Sequence, residues 1–193
     1  IPKPRNSGTT TIKTIFITHA DLDHLVGIID IIQQYKTEKI VIAPQTLKNT
    51  TPLLELTIEV ARKCDTQIKS GSAGWTEVVG EMRFAILSPD NRAPYYSSNA
   101  TSIVLHLQAN TRSILFTGDI DETRIAQLLR AEIGEVDILE LPHHGQWSEE
   151  AQRLLDTKLP KAVIQSTNKS RHAKDRWTIP ADTVRFVTAI DGN

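Results

Sequence analysis

Four potential metal ligands lie within the segment from His19 to His24: His19, Asp21, Asp23 and His24. The first three alternate along the chain, so an extended backbone would direct their side chains to one side. His24 follows Asp23 directly, and the chain must curl before a helix for its imidazole to reach a second ion. The set suits two divalent cations close together better than one tetrahedral structural site. The alternative, that Asp21 or Asp23 caps the following helix, accounts for only one of the carboxylates.

Two further candidate loops follow predicted strands. Gly118-Asp119 comes after the apolar run that ends at Thr117, and His143-His144-Gly145 comes after Leu141-Pro142. Ligands in α/β folds gather at the carboxyl ends of strands, so we expect these loops and the His19–His24 segment to share one rim. Gly-Asp after a strand is also typical of an ordinary turn. The spacing leaves open which of His143 and His144 is a ligand.

A local basic stretch is the third feature. Lys plus Arg total 22 against 23 Asp plus Glu, so the net charge of −1 excludes a generally basic nucleic-acid coat. Electrostatic binding of a phosphate backbone must therefore come from a local patch of positive charge. The candidate residues are Lys169, Arg171, His172, Lys174 and Arg176. Such a charge run is also typical of a solvated face.

The pattern of elements predicts one α/β domain over residues 1–193, with no linker or repeat. Residues 1–11 are predicted to be loop. We predict strands at Ile12–Thr18, Ile40–Ala43, Trp75–Val79, Phe84–Leu87, Ser102–Gln108, Ser113–Thr117, Val136–Leu141, Ala162–Gln165 and Val184–Ala189. We predict helices at Leu25–Tyr35, from Pro52 through Ala61, at Thr123–Arg130 and at Ser148–Leu155. Residues Ala109–Arg112 are predicted to form a hairpin turn.

Composition limits the compartment and the type of metal site. The single cysteine, Cys64, excludes an internal disulfide framework and a cysteine-rich zinc cluster. No apolar run approaches the roughly 20 residues of a membrane helix. These features favour the cytoplasm slightly for this chain taken alone, and the compartment is otherwise unknown.

Three motifs together resemble those of the metallo-β-lactamase superfamily. The segment Thr18–His24 resembles the superfamily's His-x-His-x-Asp-His signature, with Asp21 in place of the second His. Phe116–Asp119 resembles the bridging-aspartate motif, and Leu141–Gly145 the last His motif. With Asn99–Leu105, these features are most similar to the hydrolase domain attached to bacterial DNA-uptake channels (ComEC-type) and its free-standing relatives. The resemblance covers roughly residues 12 to 192.

The resemblance implies roles for individual residues. His19 and Asp21 would bind a first metal, Asp23, His24 and His143 or His144 a second, and Asp119 would bridge the two. The superfamily's middle His ligand has no counterpart here, and Asn99, Thr101 or Ser102 occupies that stretch. Asn99, Ser102, Lys169 and Arg171 are the predicted substrate contacts. His106 is interpreted as a strand-face residue.

The implied cofactors are two divalent metal ions. A site with one imidazole and carboxylates offers harder donor atoms than a site with several imidazoles. This donor set favours Mn²⁺ or Mg²⁺ over Zn²⁺ at the first position. Such ions activate a water and polarise a phosphoryl oxygen. The predicted catalytic residues are Asp23, Asp119 and His172, the last as a phosphate contact or proton donor.

The resemblance also implies an αββα sandwich. Related domains begin with strands that precede Ile12, so we expect the first sheet to lack its N-terminal strands. Either a missing segment or a partner chain completes the sheet, or the strands have been lost. Gln146 follows His-His-Gly where a small residue such as Ser is usual, and Trp147 comes next, which predicts either a changed entrance to the substrate site or a divergent function.

Three functions remain open on the sequence. The first is a metal-dependent phosphodiesterase or nuclease that binds DNA, RNA or a nucleotide through the basic loop. The second is a metallohydrolase of an ester, lactone or thioester, which would need a deep apolar pocket. The third is a non-catalytic binding domain that keeps its metal for structure.

Overall fold

The computed structural model describes residues 10–131 and 133–192. Within these residues the chain forms ten strands and nine helices. The strands are β1 (Thr11–Ile17), β2 (Lys36–Ile42), β3 (Gln67–Ser70), β4 (Thr76–Val79), β5 (Met82–Ser88), β6 (Val104–Ala109), β7 (Arg112–Phe116), β8 (Ile138–Glu140), β9 (Ala162–Gln165) and β10 (Val184–Val187). The helices are α1 (Leu22–Leu25), α2 (Ile28–Gln34), α3 (Pro44–Lys48), α4 (Pro52–Lys63), α5 (Glu122–Arg130), α6 (Pro142–Gly145), α7 (Glu149–Lys158), α8 (Lys169–His172) and α9 (Thr188–Asp191). The loop predicted for residues 1–11 lies, as far as residue 9, outside the described residues.

The first sheet contains three parallel strands in the order β1-β2-β3. Its β-branched residues suit a pleated surface that is buried on both sides. Helix α4 begins at Pro52, as predicted, and the Thr51 hydroxyl accepts a hydrogen bond from the Leu54 N–H. Leu54 of α4 and Ile32 of α2 are buried in one apolar cluster with Ile40 of β2. These helices therefore cover the outer face of the sheet.

The second sheet contains seven strands in the order β10-β9-β8-β7-β6-β5-β4. Strands β4 to β7 pair antiparallel and strands β7 to β10 pair parallel. The predicted hairpin joins β6 to β7, with Asn110 in the left-handed region that asparagine tolerates. Ile125 of α5 and Leu154 of α7 pack into the cluster on the outer face.

The two sheets pack face to face. Val41 of β2, Ile86 of β5 and Leu105 of β6 are buried in a shared cluster, bordered by Phe16 and other aromatic side chains. Gly71 lies at this contact, where a Cβ would come within 2.5 Å of Val41 and 2.6 Å of Ile86. The arrangement is an αββα sandwich with one parallel and one mixed sheet, which confirms the predicted fold class.

Some element boundaries differ from the sequence prediction. Strand β3 was not predicted because its residues, Gln-Ile-Lys-Ser, include a single apolar side chain. The helix predicted at Leu25–Tyr35 is two helices, α1 and α2, separated at Val26 and Gly27. The last strand ends at Val187 and the chain turns into α9. In the part of the chain that the structure describes, no helix has the length and hydropathy needed to cross a bilayer.

His106 is buried within β6, as its interpretation as a strand-face residue requires. Burial, with a further contribution from Lys158 and Arg83, lowers the pKa of its imidazole. Its Nε2 has no hydrogen-bond partner among the described residues. Protonation is thus easier in the unfolded chain, and this residue's contribution to stability is lost as the pH falls below about 6.5.

We expect His106→Leu to reduce the loss of stability on acidification. The leucine cannot titrate and leaves no unpaired polar atom in the sheet. Urea unfolding at pH 7.5 and pH 5.5 measures the effect, with Gln108→Leu on the same strand as the matched control. Equal acid sensitivity in wild type and His106→Leu would contradict the assignment.

Candidate metal centre

Three loops carry the candidate ligands to one rim of the sandwich. His19 follows β1, Asp119 follows β7 and His143 follows β8. The Ile103 N–H donates to the Thr18 carbonyl at 2.9 Å, which joins the first sheet to the second. The His143 N–H donates to the Gly118 carbonyl at 3.0 Å, which joins the other two loops. Backbone hydrogen bonds therefore fix the loops relative to one another.

The Asp119 carboxylate lies at the centre of four imidazoles. Its oxygens are 3.3 Å from His144 Nε2 and 3.5 Å from His24 Nε2. The corresponding distances to His19 Nε2 and His143 Nε2 are both 3.9 Å. The Asp119 side chain is only 7% exposed, so the charged group faces the histidines rather than solvent.

Two carboxylates of the first loop complete the cluster. Asp21 Oδ2 is 3.6 Å from His19 Nε2, and Asp23 Oδ2 is 3.0 Å from His144 Nε2. Two sets of possible ligand atoms are each compact enough for one ion: His19, His24 and Asp119, and Asp23, His24 and His144. His24 belongs to both sets, so the two sets of possible ligands adjoin at this residue.

The chemistry of the donors fits divalent cations. His144 Nδ1 lies 3.2 Å from the Ser166 carbonyl, which can only accept a hydrogen bond and therefore leaves the Nε2 lone pair free. Thr18 Oγ1 lies 3.0 Å from His19 Nδ1 and 3.2 Å from His24 Nδ1. The Nε2 atoms of His19 and His24 are buried and have no hydrogen-bond partner in the described residues. Outer partners at Nδ1 and a free Nε2 are the usual arrangement of metal-binding histidines.

The electrostatics favour the ligand forms of His19 and Asp119, whereas they favour a proton on His24. Burial, followed by the charge of His24, lowers the pKa of His19, so this imidazole stays neutral near pH 7. Burial alone would raise the pKa of Asp119, but the close approach of His24 and the charges of His144, His24 and His19 outweigh it and lower that pKa. Burial likewise opposes the charge on His24, yet the interactions with Asp119 and Asp23 raise its pKa.

The Glu140 side chain binds the backbone of the loop that carries Asp119, a role that was not predicted from the sequence. Its Oε2 accepts hydrogen bonds from the N–H groups of Thr117 at 3.0 Å and Gly118 at 3.2 Å. Burial raises the pKa of this carboxyl, partly offset by the two N–H groups. The sequence feature that could have indicated this role is a single acidic residue inside the apolar run Ile138–Leu141.

The His143–His144–Gly145 turn has an unusual backbone. All three residues have positive φ, at 50°, 58° and 73°. A Cβ at Gly145 would lie 2.3 Å from Gln165 Nε2, so both conformation and space require glycine. The Trp177 indole N–H donates to the Gly145 carbonyl at 2.8 Å and anchors the turn. Left-handed backbone at consecutive non-glycine residues is costly and is found where function requires it.

Comparison with known proteins places this site in a family. A family model described as "Beta-lactamase superfamily domain" matches residues 1–174. The chain belongs to this superfamily. It is 25% identical over 171 residues to ComE operon protein 3 of Bacillus subtilis, which covers 88% of the chain and 22% of that protein. It is 28% identical over 115 residues to Recombination protein 2 of Haemophilus influenzae, which covers 57% of the chain and 14% of that protein. The chain thus spans only a small part of these relatives, and the first confirms the ComEC-type resemblance.

Solved structures share the superfamily fold. A putative metal-dependent hydrolase from Parabacteroides distasonis has a TM-score of 0.55 at 18% identity, over 92% of this chain and 77% of that one. The metallo-beta-lactamase fold protein YhfI from Bacillus subtilis has a TM-score of 0.56 at 11% identity, over 91% and 74%. CmlA, a diiron beta-hydroxylase from Streptomyces venezuelae, has a TM-score of 0.52 at 15% identity, over 80% and 35%. The superfamily consists mostly of metal-dependent hydrolases, and its fold implies divalent metals.

The structure corrects one predicted substrate contact. Ser102 is fully buried and its hydroxyl lies 3.2 Å from His19 Nδ1, so it orients this imidazole and cannot touch substrate. Thr101 is also fully buried, and its hydroxyl donates to the Ser98 carbonyl. Asn99 lines a cavity of about 570 Å³ together with His143 and Gln146, a position consistent with its predicted contact.

The basic stretch divides into residues beside the site and residues away from it. Arg171 lines a cavity of about 280 Å³ that also contains Asp23 and His144. Lys169 is exposed at the start of α8 and is not among the residues that line this cavity. His172 does not line it either, because its Nδ1 pairs with the Asp175 carboxylate at 3.1 Å. The role of His172 as a phosphate contact or proton donor stays a prediction.

Proposed function

We propose that this chain is a metal-dependent phosphodiesterase whose substrates are nucleic acids or nucleotides. The observation that carries the proposal is the position of Arg171, which shares a cavity with Asp23 and His144 of the candidate metal centre. A guanidinium presents paired N–H donors that match phosphate oxygens. The relative named Recombination protein 2 agrees with a nucleic-acid substrate.

The residues around this cavity can divide the work of hydrolysis. When bound, divalent ions held by the His and Asp cluster would lower the pKa of a water molecule and polarise a phosphoryl oxygen. Arg171 would hold the phosphate against the cluster. The Asp23 side chain is 63% exposed and its Oδ2 faces His144, so it can accept the proton of the attacking water. Asp119, kept ionised by the surrounding imidazoles, supplies negative charge to both halves of the centre.

The test is a substrate screen on the full chain, loaded with Mn²⁺ or Zn²⁺. We expect hydrolysis of bis(p-nitrophenyl) phosphate and of a short single-stranded oligonucleotide, and little hydrolysis of p-nitrophenyl acetate or a simple lactone. The lining of the cavity beside the centre is mostly polar, unlike the deep apolar pocket that an ester substrate would need. Hydrolysis of the esters alone would instead establish the second hypothesis, an ester, lactone or thioester hydrolase.

The choice of metal follows from Asp21. We expect Mn²⁺ to support faster phosphodiester cleavage than Zn²⁺ does, because Asp21 and Asp119 give the His19 side of the centre oxygen donors. Asp21→His should shift the preference toward Zn²⁺, since an imidazole replaces a carboxylate, while part of the activity remains. The measurement is the ratio of the rates with the two metals, with the exposed Asp30→His as the matched control. An unchanged ratio in Asp21→His would show that Asp21 does not contribute to the choice of metal.

A further inference from the structure

A second cavity, of about 470 Å³, adjoins the candidate metal centre and is lined by three cationic side chains. They are Arg171, Lys174 and Arg176. Arg171 also lines the cavity that contains Asp23 and His144, so the two cavities share one guanidinium. The other wall of the second cavity includes Gly145, the last residue of the His143–His144–Gly145 turn. The second cavity is therefore separated from the cavity of the proposed cleavage site by the Arg171 side chain.

The cations of this cavity are not neutralised by the protein. Among residues 10–131 and 133–192, Arg171, Lys174 and Arg176 form no ion pair with a carboxylate within 4.0 Å. The one acidic residue in the lining, Asp175, is already paired with Arg185 and with His172. Three unpaired positive charges that line one concave surface repel each other and attract an anion.

The cavity is also partly preorganised. The Arg176 guanidinium stacks over the Trp147 ring at 4.0 Å from the ring centroid, which fixes a side chain that would otherwise be mobile. Trp147 lines the same cavity and packs against the core of the second sheet. A cation held in place loses less conformational entropy when it binds a ligand. Trp147, two residues after Gly145, thus supports the position of the Arg176 guanidinium.

We propose that this cavity is a second phosphate subsite, in which Lys174 and Arg176 bind the phosphate next to the one that is cleaved. The proposal rests on the proposed phosphodiesterase function and gives it a preference for substrates with at least two phosphates in succession. Arg171 lies between the two cavities and would contact both phosphates. Lys174 and Arg176 would then determine specificity rather than take part in the chemistry.

The kinetic test compares two p-nitrophenyl esters with the metal-loaded full chain. One is the p-nitrophenyl ester of thymidine 5′-monophosphate, and the other is the same ester with one additional nucleotide and its phosphate. We expect wild type to prefer the longer ester through a lower KM. In Lys174→Gln or Arg176→Gln, the ratio of kcat/KM for the two esters should fall about tenfold, the effect of losing one charge-assisted hydrogen bond. Lys48→Gln, an exposed cation that does not line the cavity, is the matched control.

A binding test separates this subsite from the proposed activity. Sodium phosphate is titrated into the zinc-loaded chain while the indole N–H resonance of Trp147, assigned with Trp147→Phe, is followed by NMR. We expect a saturable shift that Arg176→Gln weakens and Lys48→Gln leaves in place. If neither ester is cleaved by wild type, the proposed function fails and the titration alone decides the subsite. If wild type shows no saturable shift, the subsite is overturned. If the shift is saturable but Lys174→Gln leaves the ratio of kcat/KM for the two esters unaltered, the cavity binds free anions and is not a substrate subsite.

Discussion

Asp119→Asn is expected to lower phosphodiester turnover on the order of a thousandfold or more, since we propose that this one carboxylate would serve both metal ions. Its oxygens lie within 3.9 Å of four histidine Nε2 atoms, whereas Asp21 comes as close to one of these histidines and Asp23 to two. Asparagine keeps the size of the side chain and its hydrogen-bonding capacity while removing the charge. The loss should therefore reflect the electrostatics of the centre rather than a collapsed loop.

The measurement is the rate on bis(p-nitrophenyl) phosphate together with the metal content of the purified variant. Asp30→Asn, an exposed residue of α2, is the matched control. Circular dichroism establishes that both variants are folded. Full turnover in metal-loaded Asp119→Asn would mean that the centre is not catalytic, and the third hypothesis, a binding domain with a structural metal, would take its place.

Divalent metal is expected to raise the melting temperature of the chelator-treated chain by about 5 to 15 °C when the metal exceeds its Kd by a hundredfold to a thousandfold. The physical reason is the pair of buried Nε2 atoms of His19 and His24, which face the Asp119 carboxylate and have no hydrogen-bond partner within residues 10–131 and 133–192. Metal binding would satisfy these atoms only in the folded state, and so would favour that state.

Two histidine variants give this measurement its control. His24→Ala should abolish most of the shift, because His24 belongs to both sets of possible ligands. His172→Ala should retain the shift, because its imidazole pairs with Asp175 and lies outside both sets. Identical melting curves with and without Mn²⁺ or Zn²⁺ would contradict the proposed metal centre.

The sequence predicted the layers of the fold and the loops of the candidate site because both depend on local patterns. Strand β1 is a β-branched run, and the helix at Pro52 carries its own start signal. The His19–His24 segment and His143–His144 are dense enough in ligand types to be recognised without a structure. Their common rim follows from the strand ends that precede them.

What could not be predicted depends on contacts between distant residues. The burial of Ser102 against His19 requires the second sheet to dock on the first, and nothing in the local sequence shows this contact. The role of Glu140 depends on two N–H groups of the neighbouring strand's loop. His172 lies in the basic stretch but points to Asp175, whose pairing with Arg185 involves a residue of β10.

The position of the ligands along the chain has a consequence for how the protein folds. His19 and His24 are close in sequence on the first sheet, whereas Asp119 and His144 follow roughly a hundred residues later on the second, so their encounter requires closure of a long loop. The first loop of an unfolded chain can therefore offer an ion only its local ligands, His19, Asp21, Asp23 and His24. The complete donor set forms when the two sheets dock, which makes the late, non-local step of folding the one that metal accelerates or stabilises. In a refolding experiment, the gain of tight metal binding would mark sheet docking as an event distinct from the formation of either sheet.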